Sequence, residues 1–379
     1  MKKSKKTILL VGGGTGGHII PLLNINKKLK EMRPDFCIVS VGGNTALDKK
    51  LFTGIDNHIS LTTGKLHRNF TANNIIQFVY LICGIIKSFF IIINTKPNVI
   101  FSKAGYVSFP IIFWAKIFKI PYMIHESDIA MGRSNKLSAK NALKIFVGFP
   151  KSYYPDAFFD KTIFVGQILR PEISDLSEHT FDFGFSNKKP TIFITGGSQG
   201  AKNINSAIFN SLDHLLNKYN LIHHVGNLDY ARAIEIRSGL DGEKRASYFV
   251  TELLTNTNSK DSLLSAINQS ELVVLRSSAT TLAEVSALKK PIITVPYKHA
   301  ASDHQMKNAL YYEKEHAAVV LNDDEINDKL TTEIDHLFKN PEEMKRLGNN
   351  AFKLLPIDGL DRVVDEIINF FRNSKYEEL

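Results

Sequence analysis

Residues 7–18 read Thr-Ile-Leu-Leu-Val-Gly-Gly-Gly-Thr-Gly-Gly-His, and residues 191–201 read Thr-Ile-Phe-Ile-Thr-Gly-Gly-Ser-Gln-Gly-Ala. Each is a short β-branched run, then a glycine turn, then a stretch with helical periodicity. A strand, a tight turn and a helix in that order begin a parallel βαβ unit. Two such starts far apart announce two similar halves rather than a short-period repeat.

Working outward, Cys37–Val41, Val99–Ser102, Tyr122–His125 and Lys144–Val147 read as further strands of the first half. Leu221–His224, Leu272–Leu275 and Ile292–Val295 do so in the second. Pro97, Pro121, Pro190 and Pro291 stand at the starts of apolar runs, where a missing N–H costs the ladder least. The expected fold is α/β, two Rossmann-like domains at residues 1–165 and 187–357. Gly166–Lys189, with Pro171, Gly184 and little periodicity, is the expected linker. The last helix, within 358–379, can pack on either half. Two facing domains of this kind put their strand C-termini, and their ligands, into the cleft between them.

The chain has 379 residues, 44% hydrophobic and 22% charged, which is ordinary globular composition. Its net charge of +9 conceals an asymmetry. Residues 1–161 hold 23 Lys and Arg against 8 Asp and Glu, and the remainder is net acidic. A basic first half points to an anionic partner or to a solubilising surface. Nucleic acid is disfavoured, because the lysines are dispersed and no recognition motif accompanies them. Cys37 and Cys83 make no disulfide framework, which suits a reducing compartment. The basic N-terminus resembles a signal start, but Ile8–Val11 is too short for a signal core, so a mature cytosolic start is expected. Scattered histidines and unpaired cysteines offer no metal set, and no cofactor is expected.

Ile75–Ile93 is apolar except for Lys87. As a helix of ~1.5 Å rise per residue it is long enough to span a bilayer. Strands flank it, so a crossover helix with most of its residues in the core is expected. An exposed remainder, near Phe109–Lys119, suits peripheral contact with anionic phospholipid.

Gly12, Gly14 and Gly17 also fit the dinucleotide fingerprint. That reading wants a carboxylate after the second strand, where Val41-Gly42-Gly43-Asn44 has none. What remains is close approach of phosphate to backbone N–H groups and a helix N-terminus. In the second half Arg276–Glu284 follows a strand; Ser277 or Ser278 can cap the new helix. Glu284 can accept two hydrogen bonds from ribose hydroxyls, or be a solvated helix residue. The polar stretch Pro296–Asn308 is placed to read sugar hydroxyls.

Gly13–His18, Gly105–Ser108, His125–Asp128, Asn135-Lys136, Gly196–Ala201 and Arg276–Glu284 occur in this order and together resemble the MurG family of peptidoglycan synthesis. The resemblance implies a GT-B fold and an inverting transfer of N-acetylglucosamine from UDP-GlcNAc to lipid I, giving lipid II. It implies a peripheral enzyme at the cytoplasmic face of the cell membrane, with other cell-wall synthesis proteins as partners. By the same resemblance Thr15, Gly16, Gly17, Asp128, Arg170, Ser198, Leu254, Ala279, Thr280, Thr281, Glu284 and Gln305 hold the donor. Gly14, Lys65, Gly105, Tyr106 and Asn135 contact the acceptor. Asp128 stands where many members have Asn; His304 and Ser278 also depart, and Gly166–Arg170 differs from the usual Gly-Asn-Pro-Val-Arg. His-Glu-Ser-Asp and Thr63-Gly64-Lys65-Leu66 look like a variant of some Gram-positive members.

The acceptor hydroxyl must lose a proton, so a near-neutral base is needed. His18 follows the first glycine loop at a helix N-terminus, which lowers its pKa. Glu126, just after a strand, is its rival. Alternatives are another GT-B transferase such as one acting on diacylglycerol, an NAD-binding oxidoreductase, or a silent membrane scaffold.

Overall fold

The computed structural model describes residues 6–65, 72–174, 176, 181–197, 200–254, 263–300 and 303–373. Seven parallel strands form the first sheet: β1 (Thr7–Val11), β2 (Cys37–Gly42), β3 (His58–Ser60), β4 (Val99–Ser102), β5 (Tyr122–Glu126), β6 (Lys144–Val147) and β7 (Thr162–Phe164). Their order is 3-2-1-4-5-6-7. The second sheet has β8 (Thr191–Thr195), β9 (Asn220–His224), β10 (Tyr248–Thr251), β11 (Leu272–Leu275), β12 (Ile292–Thr294) and β13 (Val319–Val320), ordered 10-9-8-11-12-13. Both are doubly wound, with the glycine turns on the central strands β1 and β8. Central strands are covered on both faces: Ile8, Leu9, Leu10 and Val11 are all buried, hence the unbroken apolar runs.

The strands absent from the sequence reading are β3, β7, β10 and β13, and each is a sheet edge. They are short and incompletely buried, so neither alternation nor an apolar run marks them.

Helix α1 (Gly16–Met32) buries Ile19, Leu22, Ile25 and Leu29 along one face. The last helix, Gly359–Asn373, adds Val363, Val364, Ile367, Ile368 and Phe371 to the same core as Ile8, Leu10 and Leu22. Gly359 lets it dock: a β-carbon there would lie 2.5 Å from the carbonyls of Val165 and Gln167. By contacts the chain divides into Met1–Arg170 with Ile357–Leu379, and Pro171–Pro356. Phe181 and Phe183, within the expected linker, pack edge-on against Phe249 of the second unit.

Candidate active site

The first glycine loop is pinned from below. Helix α2 (Ala46–Leu51) starts with a capping box of Thr45 and Asp48. The fully buried Asp48 carboxylate also accepts from the amides of Gly14 (2.9 Å) and Gly43 (3.0 Å). Gly14 adopts φ +87°, and Gly13 has no room for a β-carbon, which would sit 2.5 Å from the Gly43 nitrogen. The Gly14 amide is therefore spent on Asp48 and is not among the loop N–H groups open to a ligand. Thr15 is the exposed N-cap of α1, and the helix's first turn follows through Gly16 and Gly17. Asp48 escaped the sequence reading because it lies beyond the strand end, reached only through the capping box.

His18 closes that first turn. Its Nδ1 lies 3.1 Å from the Gly13 carbonyl, which only accepts, so Nδ1 carries the proton and Nε2 the lone pair. Gly105, at φ +84°, packs beneath the ring; a β-carbon would fall 3.1 Å from Nδ1. Tyr106 lies against Gly14. The His18 pKa is lowered, first by burial and next by the Lys103 charge, against the pull of the Gly13 carbonyl and Asp128. Burial, rather than the helix terminus, leads that shift.

Glu126 ends β5 with both carboxylate oxygens engaged. Oε1 accepts from the Asp128 amide (3.1 Å), and Oε2 from the Gly132 amide (2.8 Å) and Asn135 Nδ2 (2.9 Å). Burial and then Asp128 raise its pKa; the three donors pull it back. The Asn135 amide also donates to the His125 carbonyl (3.1 Å), so this residue, expected as an acceptor contact, is buried and holds the β5 turn. Lys103, just past β4, was missed by sequence reasoning. Its buried ammonium meets His125 Nδ1 at 2.7 Å and the Ser127 hydroxyl. The available signal was a lysine between a strand and a glycine turn. Lys65 is exposed, and its amide donates to Gln77 Oε1 (2.9 Å). Arg170 is half-buried at the end of the first unit.

In the second unit Gly197 (φ +81°) and Gly200 (φ +78°) shape the turn after β8, and Ser198 lies outside the described residues. Ser278 is the N-cap of the helix Ala279–Ala287, but its hydroxyl makes no cap bond. The Ser277 hydroxyl meets Thr294 Oγ1 at 2.8 Å, so capping by either serine side chain is not what the structure has. Ala279 is buried at the first turn, with Thr280 and Thr281 half-buried beside it. Glu284 is 2% exposed, which removes the solvated-glutamate reading. Arg276 bonds Asp323 at 2.6 Å and the Val295 carbonyl at 3.1 Å, tying the turn to the segments after β13 and β12. Gln305 Oε1 accepts from the Tyr297 amide (2.9 Å), folding the polar stretch back on itself. Leu254 is buried just beyond β10.

Residues 8–147 match the glycosyltransferase family 28 N-terminal domain, and residues 191–356 the family 28 C-terminal domain. The UDP-N-acetylglucosamine--N-acetylmuramyl-(pentapeptide) pyrophosphoryl-undecaprenol N-acetylglucosamine transferase of Clostridium tetani (strain Massachusetts / E88) is 32% identical over 376 residues, covering 97% of this chain and 99% of the relative. The enzyme of the same name from Geobacillus kaustophilus (strain HTA426) is 33% identical over 371 residues, covering 96% and 99%. Acinetobacter baumannii MurG superposes with a TM-score of 0.70 at 20% identity, covering 96% of this chain and 99% of that one. The chain belongs to the MurG family.

As a MurG-family glycosyltransferase it has two Rossmann-like units in a GT-B architecture. One surface feature sets the first unit apart. Helix α3 (Ala72–Thr95) is the crossover from β3 to β4, yet within Asn74–Thr95 only 22% of the most apolar 18 residues are buried. The core position expected for most of this helix is therefore wrong. Helix α4 (Ser108–Ile117) covers one side through Trp114, whose Nε1 donates to the Ile85 carbonyl (2.7 Å). Ile75, Phe78, Ile82, Ile86 and Phe90 remain exposed, continued by Ile117 and Phe118. The crossover topology rules out a span by α3 while its sheet stays intact. An exposed apolar helix of this kind is compatible with peripheral association at a membrane.

Proposed function

We propose that the chain transfers N-acetylglucosamine from UDP-GlcNAc to the muramoyl 4-hydroxyl of lipid I with inversion at the anomeric carbon, forming lipid II. Family membership over nearly the whole chain supports the substrates. The observation that carries the mechanism is the His18 ring, held by Gly13 so that Nε2 presents its lone pair. The 4-hydroxyl oxygen attacks the anomeric carbon and its proton passes to Nε2. The bond to the β-phosphate breaks, and its electron pair leaves with UDP. In the second unit the helix Ala279–Ala287 presents first-turn amides and the positive end of its dipole to the diphosphate. Glu284 holds the ribose hydroxyls, and Gln305 and Asp128 contact the sugar. The α3–α4 face rests on anionic phospholipid at the cytoplasmic side of the membrane, where the acceptor resides.

Radiolabelled UDP-GlcNAc incubated with lipid I, and separately with diacylglycerol, tests the reading. Label in the lipid I arm alone is expected. Label in the diacylglycerol arm alone replaces the acceptor. Glu284→Ala should weaken UDP binding about tenfold or more in titration calorimetry, as loss of hydrogen bonds to a charged group requires.

A further inference from the structure

We propose that Lys103 is a positioning residue, which keeps His18 in its proton-accepting form and fixes the Ser127–Asp128 turn beside it. The inference rests on His18 as the base.

The Lys103 amide donates to the Val11 carbonyl (2.8 Å), so its Cα is locked to the sheet where the glycine loop begins. The next two residues, Ala104 (φ +67°) and Gly105 (φ +84°), are both left-handed. That double turn sends Gly105 under the His18 ring while the lysine side chain runs to the end of β5. An ammonium only donates, so His125 Nδ1 is a lone pair and its Nε2–H donates to the Gly166 carbonyl (3.0 Å). The His125 tautomer is thereby fixed, and Lys103 bridges the end of β4 to Ser127 and hence to Asp128.

A cation at 1% exposure is expensive, and an apolar side chain of that length would stabilise the fold as well or better. Its surroundings suggest what the charge is for. Burial lowers the Lys103 pKa to about 8 against Glu126 and Asp128, which favour the ammonium, so the cation is present at neutral pH. Lys103 and Lys65 oppose a proton on His18, while Asp128 favours one. Lys65 is exposed and screened by solvent, which leaves Lys103 as the persistent charge acting with burial on His18.

The test compares Lys103→Met and Lys103→Arg in the full-length enzyme, by the pH profile of kcat at saturating substrates and by ring NMR of His18, assigned from its absence in His18→Ala. On the acid limb Lys103→Met should lower kcat about tenfold at a given pH. The acid limb of kcat and the His18 ring midpoint should both move up by about one pH unit, since a removed like charge favours protonation. Lys103→Arg should return both midpoints. A fall in kcat with both midpoints unmoved makes Lys103 a structural prop and overturns the proposal. A ring midpoint that moves while the acid limb stays supports the coupling to Lys103 and removes His18 as the base. Should the Met variant not fold, Lys103→Gln carries the same readouts.

Discussion

At the scale of single residues, the competition between His18 and Glu126 is decided by what each atom is already doing. Glu126 accepts three internal hydrogen bonds, whereas among the described residues the His18 ring is held through Nδ1 alone. His18→Ala should therefore lower kcat by roughly 10²–10⁴-fold with UDP affinity intact. The sign of the pH dependence follows from its lowered pKa. The base works when neutral, so kcat should hold as pH falls through 6.5, the ordinary histidine value, and decline only below it. Full turnover in His18→Ala, with none in Glu126→Gln, would pass the role to Glu126. Strand–turn–helix grammar placed His18 and Glu284 on the helices after their turns, while the roles proposed for them came from the family resemblance. Lys103 and Asp48 were not legible: each acquires its role from residues 22 to 34 positions away that folding brings beside it.

Among the elements, α3 shows how composition can mislead. A long apolar helix between two strands reads as core, yet only the side against α4 and the sheet is covered. Core strands were legible because burial on both faces writes itself as an apolar run; the edge strands carry no such record. If the exposed side serves a membrane, Phe78→Ser, Ile82→Ser and Ile86→Ser together should cut partition onto phosphatidylglycerol vesicles about 100-fold or more, at ~1 kcal/mol or more lost per large apolar side chain. Thermal stability should hold or rise, because these side chains are exposed. Co-sedimentation and calorimetry on the triple variant check both. Unchanged sedimentation, or a collapsed melting temperature, defeats the assignment.

Across the whole molecule both units bury histidines that resist protonation, His18 and His125 in the first, His223 and His224 in the second. In the second, His223 bonds Tyr248 and Asn205 while burial holds it down at about 3, and His224 beside it is held at about 4. Both stay neutral in the folded unit, whereas the unfolded chain binds protons from pH 6.5 downward. Their contribution is thus present above 6.5 and lost as pH falls toward 4, at ~1.4 kcal/mol per pH unit for each histidine. Scanning calorimetry from pH 7 to 4 should show the second unit's transition falling steeply, and His224→Gln should flatten that slope. A transition flat across this range contradicts the assignment.

The docking of Gly359–Asn373 into the first unit also sets an order of events during synthesis. The first unit leaves the ribosome earliest but lacks Val363, Val364, Ile367, Ile368 and Phe371 until the residues after Gly359 have emerged. The second unit, whose residues are contiguous, can close its core first. Until the terminal helix arrives, the nascent first unit exposes an apolar groove beside α1 as well as the apolar side of α3. A chain stopped before Gly359 should accordingly present a protease-resistant second unit joined to a protease-sensitive first one. Limited proteolysis of that truncation reads the order directly: equal resistance of both units means the last helix is dispensable to the first.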